Sequence, residues 1–207
     1  MIQIALDQEI YNKIISSMRN VEKSEESLLK KAVNDTAKKA QRLLAEQANR
    51  VYGGKAPEGI LERSYINKAS VGRPDVFIHF RSKQPLLTQF RVETEGSIPT
   101  KTVYQDDKRV KFPIKGAQFK NGDLKPLRGE LSMAFAVRFP SGKFAVVSRG
   151  TGTKAGRKGD TVLKAFYGSS DKAMVGNEKV YGKVNKDISD MLNQECEKLL
   201  DQVLGGK

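Results

Sequence analysis

Residues 133–149 read Met133-Ala134-Phe135-Ala136-Val137-Arg138-Phe139-Pro140-Ser141-Gly142-Lys143-Phe144-Ala145-Val146-Val147-Ser148-Arg149. Met133, Phe135, Val137 and Phe139 recur every second position on one arm, and Phe144 and Val146 do so on the other. A period of two places alternate side chains on opposite faces of a strand. Between the arms, Pro140 presets its own backbone angle and Gly142 tolerates a positive one, so Pro140-Ser141-Gly142 supplies a reversing turn. The stretch is an antiparallel hairpin, and the protein is therefore expected to contain an antiparallel sheet.

Working outward, Asp75 to Arg81 repeats the two-residue period, with Val76, Ile78 and Phe80 on one side and Phe77, His79 and Arg81 on the other. A further strand is expected around Thr88 to Thr94. Thr100 to Glu130 has no such period. Pro113, Pro126, Gly116, Gly122 and Gly129 punctuate it and Lys101, Lys108, Arg109, Lys111, Lys115, Lys120, Lys125 and Arg128 run along it, so it reads as a long basic loop ordered by a partner or built into an interface. Gly150 to Asp160, rich in glycine and lysine, is expected to be exposed and mobile.

Helical signals flank the sheet. Asp7 to Arg19 carries Ile10, Ile14 and Met18 at four-residue steps, the spacing of one face of a short helix. After Ser24, a good N-cap, Glu25 and Glu26 place negative charge at the positive end of a helix dipole. Leu29, Val33, Ala37, Ala40, Leu44 and Ala48 then form an apolar stripe, ended by Gly53-Gly54 and Pro57. A last helix carries Val184, Ile188, Met191, Leu192, Cys196, Leu199 and Val203 on its inner side, with Glu195, Glu197 and Asp201 outside it. The expected fold is α+β: an antiparallel sheet packed with a long N-terminal helix and a C-terminal helix, with a basic loop insertion. We expect one domain over 1–207, with a helical part at 1–50, the sheet at 75–150 containing the insertion 97–130, and the last helix at 184–204.

The chain has 207 residues, enough for one well-buried domain, with 38% hydrophobic and 29% charged side chains. No run approaches the roughly 18 apolar residues of a membrane span, and Met1 to Met18 lacks the pattern of a secretory leader. The expectation is a soluble protein made in a cytoplasm, and the lone Cys196 agrees with a reducing compartment. The formal net charge is +13. Residues 51–172 hold 23 basic against 11 acidic side chains, so +12 of the excess lies there. Such a field attracts polyanions or acidic protein faces. A solvated basic surface, nucleic acid held nearby and an acidic partner subunit are all compatible with it.

Chemistry is sparse. His79 has no acidic or thiol neighbour at a spacing that suggests a triad and reads as a structural histidine. One histidine and one cysteine leave only carboxylates as metal ligands, and Asp106-Asp107 reads as local charge balance. Gly150-Thr151-Gly152-Thr153-Lys154-Ala155 formally fits a dinucleotide fingerprint, but Gly156 to Asp160 are poor helix formers, and without a helix N-terminus the mechanism is lost. Gly54 and Gly59 have the spacing of a phosphate loop, yet Ile60-Leu61 stands where lysine and a hydroxyl residue are needed.

Several segments, in order along the chain, resemble the minor tail protein Z family of lambda-like phages and prophages. They are Ala32-Val33-Asn34-Asp35-Thr36-Ala37, Pro85-Leu86-Leu87-Thr88-Gln89-Phe90, Ala134 to Gly142 leading to Val147-Ser148-Arg149, and Leu163 to Ser170 followed by Met174-Val175-Gly176-Asn177. The resemblance spans roughly Leu28 to Leu200; family members often carry proline where Ser169 stands, and Ser97 to Leu131 is peculiar to this chain. It implies a virion protein of a bacteriophage, a tail-completion subunit that acts in tail assembly and head-tail joining at the neck end of the tail. Its implied partners are the tail terminator, tail tube and tape measure, or neck and connector proteins, in a ring-forming homo-oligomer such as a hexamer, with non-specific contact to viral DNA and none to membrane. The host cytoplasm would be its location during assembly. It implies no catalytic residue, cofactor or metal. Lys108, Arg109, Lys111 and Lys115 in the loop, and Arg138, Lys143, Arg149, Lys154, Arg157 and Lys158 around the hairpin, are the candidate contacts to DNA phosphates or to acidic partners. The alternative is a free, sequence-independent nucleic-acid-binding module, which needs stacking aromatics among its basic residues; Tyr104, Phe112 and Phe119 are those spaced through the loop.

Overall fold

The computed structural model describes residues 2–4, 25–70, 73, 75–96, 104–105, 108–109, 112–118, 120, 134–139, 141–153 and 161–204. The fold is α+β. In chain order the elements are β1 (Ile2–Ile4), α1 (Glu25–Val51), β2 (Tyr65–Asn67), β3 (Val76–His79), a 3-10 turn (Leu87–Gln89), β4 (Arg91–Thr94), β5 (Tyr104–Gln105), β6 (Lys108–Arg109) and β7 (Phe112–Gln118). Then come β8 (Phe135–Arg138), β9 (Phe144–Thr153), β10 (Thr161–Ala165), α2 (Asp171–Val175), a π-helical turn (Glu178–Gly182) and α3 (Lys183–Leu204). The chain divides into two compact units, the first made of Met1–Asn49, Glu58–Ser82 and Asp171–Lys207, the second of Arg50–Pro57 and Lys83–Ser170.

In the first unit, the stripe expected of α1 is buried: Val33, Ala37, Ala40, Leu44 and Ala48 are inaccessible to solvent. The side chain of Asn34 on that helix accepts from the Ala69 amide at 2.9 Å, and Gln41 Nε2 donates to Ser64 Oγ at 2.8 Å. These two contacts fix the chain on either side of β2. The helix α3 buries Val184, Ile188, Leu192, Cys196 and Leu199, of which each aliphatic side chain is worth about 1.5–3 kcal/mol when fully buried. Lys39 on α1 pairs with Glu195 on α3, and Lys198 reaches the same carboxylate at 3.4 Å. The Lys39 hydrogen bond holds the Glu195 carboxyl below its usual pKa. A small antiparallel sheet in the order β1-β3-β2 completes the unit. Val76 and Ile78 are fully buried on one of its faces, while Phe77 and His79 are half-buried on the other. The expected helix at Asp7 to Arg19 and the cap Ser24 lie outside the described residues.

The second unit is built on an antiparallel sheet in the order β10-β9-β8-β7-β4. The hairpin read from the sequence is its centre. Phe135, Ala136, Val137 and Arg138 pair with Val147, Val146, Ala145 and Phe144. The Gly142 amide closes the turn on the Phe139 carbonyl at 2.8 Å, with Gly142 at φ +77°.

Two expectations need correction. The stretch 97–130, expected as a loop, supplies β5, β6 and β7, and β7 lies inside the five-stranded sheet between β8 and β4. Its Pro113 and Gly116 read as breakers, but neither breaks the ladder. Pro113 still pairs with Phe135 and its carbonyl accepts from the Glu95 amide at 2.8 Å. Glu93 pairs with Gly116 and Thr94 with Ile114, so Lys115 is the extra residue of a β-bulge. Secondly, Gly150 to Thr153, expected as part of an exposed mobile segment, continues β9, and Thr153 pairs with Thr161. The rest of that segment, 154–160, lies outside the described residues.

Candidate polyanion or partner interface

Charge follows the division into units. The second unit holds 19 of the 37 Lys and Arg and 7 of the 24 Asp and Glu, a surplus of +12, whereas the first holds 18 and 17. A net field of one sign on one compact body speeds encounter with the opposite sign and favours no single base or peptide sequence.

The register of β8 and β9 decides which candidate cations share a face. Residues paired directly across two antiparallel strands point the same way. Phe135, Val137, Ala145 and Val147 therefore form one side, and Ala165 of β10, paired with Val147, joins them. Arg149, two residues beyond Val147, stays on that side beside its partner Leu163, and both are exposed. At the other end Lys143, whose carbonyl accepts from the Phe139 amide, is exposed and has the same parity. This side thus has an apolar centre of Val137, Ala145 and Val147 flanked by Lys143 just before β9 and by Arg149 midway along it, about 20 Å apart at the rise of a strand.

Arg138 belongs to the opposite side, with Ala136, Phe144 and Val146. Its Nη1 donates to the Gly142 carbonyl at 2.8 Å, and its guanidinium lies 5.8 Å from the centroid of the Phe144 ring. That cation-π contact and hydrogen bond tie it to the hairpin's own turn. Lys115, exposed, projects from the bulge in β7. Lys108 and Arg109 are described in backbone only, as β6, which pairs with β5 through Tyr104↔Arg109 and Gln105↔Lys108. Lys111, Lys154, Arg157 and Lys158 lie outside the described residues, as do Asp106, Asp107 and Phe119. The structure accordingly joins Lys143 with Arg149 on one face and sets Arg138 on the other.

The remaining sequence signals resolve into structural contacts. Gly150-Thr151-Gly152-Thr153 is part of a strand, so the dinucleotide fingerprint has no strand-to-helix turn there. Gly54, at φ +86°, packs its Cα side against the backbone of Gln89 and Phe90, where a Cβ would approach Gln89 O to 2.6 Å. The amides of Lys55 and Ala56 donate to that same oxygen at 2.7 and 3.0 Å. His79 stacks on Tyr65 with ring centroids 4.6 Å apart and planes 3° from parallel, and its Nε2 lies 3.1 Å from Asn67 Nδ2. Among the described residues no group of three His, Cys, Asp or Glu side chains could hold a metal ion, and no helix is long and apolar enough to cross a membrane.

Sequence reasoning missed one charged pair altogether. Arg63 Nε and Nη2 donate to Asp171 Oδ2 and Oδ1, both at 2.9 Å, in a bidentate fork. Asp171 is 2% exposed, and Gly59 leaves room for the guanidinium because any side chain there would meet it. The hydrogen bond that Arg63 donates to Asp171 is the main cause that raises the Arg63 pKa. No local pattern links two residues 108 positions apart; the single available signal was an acidic residue opening a short helix after Gly168-Ser169-Ser170.

Comparison of the chain with family models, with curated proteins and with solved structures found no match.

Proposed function

We propose that this protein is a non-enzymatic structural subunit of a tailed-phage particle, acting in tail assembly and head-tail joining near the DNA channel. The observation that carries the reading is the polarity of charge between the two units, +12 on one and +1 on the other. A subunit that docks among neighbours with one body and borders a polyanion with another needs that distribution. Lys143 and Arg149, exposed on either side of the apolar centre of one sheet face, suit phosphate or carboxylate partners without sequence reading. The family resemblance adds the virion context and rests on the quoted segments alone. It brings with it a ring of copies, tail terminator, tube, tape-measure or neck proteins as neighbours, and the neck end of the tail as location.

The experiment is charge reversal in the source phage. With Lys108, Arg109, Lys111 and Lys115 changed to glutamate, heads and tails should accumulate unjoined, and mass spectrometry of wild-type virions should find this chain. Undiminished infectious particles, or the chain's absence from purified virions, would refute the proposal. Tight salt-sensitive binding of free DNA by a monomer, with the chain absent from virions, would favour the free nucleic-acid-binding module instead.

A further inference from the structure

We infer that the first unit carries a stacking site for an unpaired nucleobase at the edge of its three-stranded sheet, built from Tyr65, His79 and Asn67. Its residues all belong to the first unit, and the inference goes beyond the structural role proposed above.

The sheet has one covered and one open face. Val76 and Ile78 are completely buried on the covered side, whereas Tyr65, Asn67, Phe77 and His79 share the other, since Tyr65 pairs with His79 and Asn67 with Phe77. Tyr65 is 59% exposed. One of its faces is covered by the near-parallel His79 ring. The order β1-β3-β2 makes β2 an edge strand, so among the described residues no further strand of this sheet stands beyond the other face. A planar ring can therefore extend the stack by one layer at the sheet margin.

The histidine is positioned for this role. Asn67 Nδ2 lies 3.1 Å from His79 Nε2, a contact that fixes the tilt of the imidazole stacked on Tyr65. Arg81 has the same strand parity as Phe77 and His79 and is exposed, as is Lys68 beside Asn67. Aromatic faces flanked by cations are what single-stranded nucleic acid requires: bases stack while phosphates are neutralised nearby. In duplex DNA the base faces are already stacked and cannot reach such a platform. The ring stack favours this occupant over an acidic peptide, which would use the cations and leave the stack without a partner.

The test is fluorescence anisotropy of the full chain with a labelled 20-nucleotide single-stranded oligothymidylate and with a duplex of equal length, at one fixed salt concentration. Tyr65→Ala should weaken single-strand binding about tenfold and leave duplex binding unchanged, and Tyr65→Phe, which keeps the ring, should retain it. Circular dichroism melting of each variant establishes that the exposed substitution leaves the fold intact. His79→Ala should weaken the single strand by less than Tyr65→Ala, because it removes the support and leaves the platform. An equal loss for single strand and duplex, no loss in Tyr65→Ala, or no single-strand binding by the wild type would overturn the inference. So would a finding that Tyr65→Ala abolishes capture of a purified protein partner and leaves oligonucleotide binding untouched.

Discussion

Asp171 is a carboxylate withdrawn from water and answered by one guanidinium. With the fork in place both oxygens have donors at 2.9 Å. Removing the arginine leaves the carboxylate buried without them, whereas removing both groups together leaves no orphan charge. Arg63→Ala should therefore cost about 3 kcal/mol, at the low end for breaking a buried pair because the arginine side chain is 29% exposed. The double variant Arg63→Ala with Asp171→Asn should recover part of that loss, read from urea unfolding midpoints. Equal destabilisation in the single and double variants would mean that the fork matters only through packing. Cys196 makes a second residue-scale case. Burial first, then the charges of Glu195 and Glu197, push its pKa up to about 11. A raised folded-state value means that the neutral thiol is favoured, and the associated stability is full below the unfolded value and lost as pH rises through the folded one. At pH 8 only about a thousandth of the folded molecules would carry the thiolate, against roughly a quarter of unfolded chains. Alkylation by iodoacetamide at pH 8 should thus be slow in the native protein and accelerate strongly in denaturant.

At the scale of elements, the turn of the β8–β9 hairpin and the segment after α1 use glycine for different reasons. Gly142 sits at φ +77° with open space where a Cβ would go, so Gly142→Ala carries backbone strain alone, about 1 kcal/mol. Gly54 is at φ +86° and its Cβ would lie 2.6 Å from backbone atoms of both Gln89 and Phe90. Backbone cannot swing aside as a side-chain tip can, so Gly54→Ala should cost roughly 3 kcal/mol or more. Thermal melts of the two variants would show this ranking, and a reversed order would contradict the close approach. The same elements mark what could be read beforehand. The hairpin, α1 and α3 were legible because their apolar periods of two and of 3.6 survive intact in the sequence. The strand β7 was not, since Pro113 and Gly116 carry the local signature of a loop and only the pairing to β8 and β4, across a bulge, overrides it. The cations of the candidate interface were visible as composition, but the separation of Arg138 from Lys143 and Arg149 depends on cross-strand register. Tyr65 was hidden because β2 is three residues long, too short to show any period, so His79 was legible as a strand residue without its stacking partner.

On the scale of the whole molecule, the question is whether the surplus of the second unit acts as a diffuse field or through particular faces. The register gives a way to separate the two. Lys143 and Arg149 extend from one side of the hairpin, while Arg138 on the other is already engaged with Gly142 and Phe144. If phosphates contact these two exposed cations, each neutralised phosphate contributes about −0.9 to the slope of log K against log salt. The double change Lys143→Glu with Arg149→Glu should then flatten that slope by about 1.8 for duplex DNA, at little expense in stability because both side chains are exposed. Arg138→Glu should do the reverse. It forfeits a hydrogen bond and a ring contact, about 1–2 kcal/mol together, and leaves the slope nearly as it was. A purely diffuse field would make both changes flatten the slope in proportion to charge alone, with Arg138→Glu contributing half as much as the double change. Titrations at four salt concentrations, paired with urea unfolding of each variant, discriminate between these outcomes.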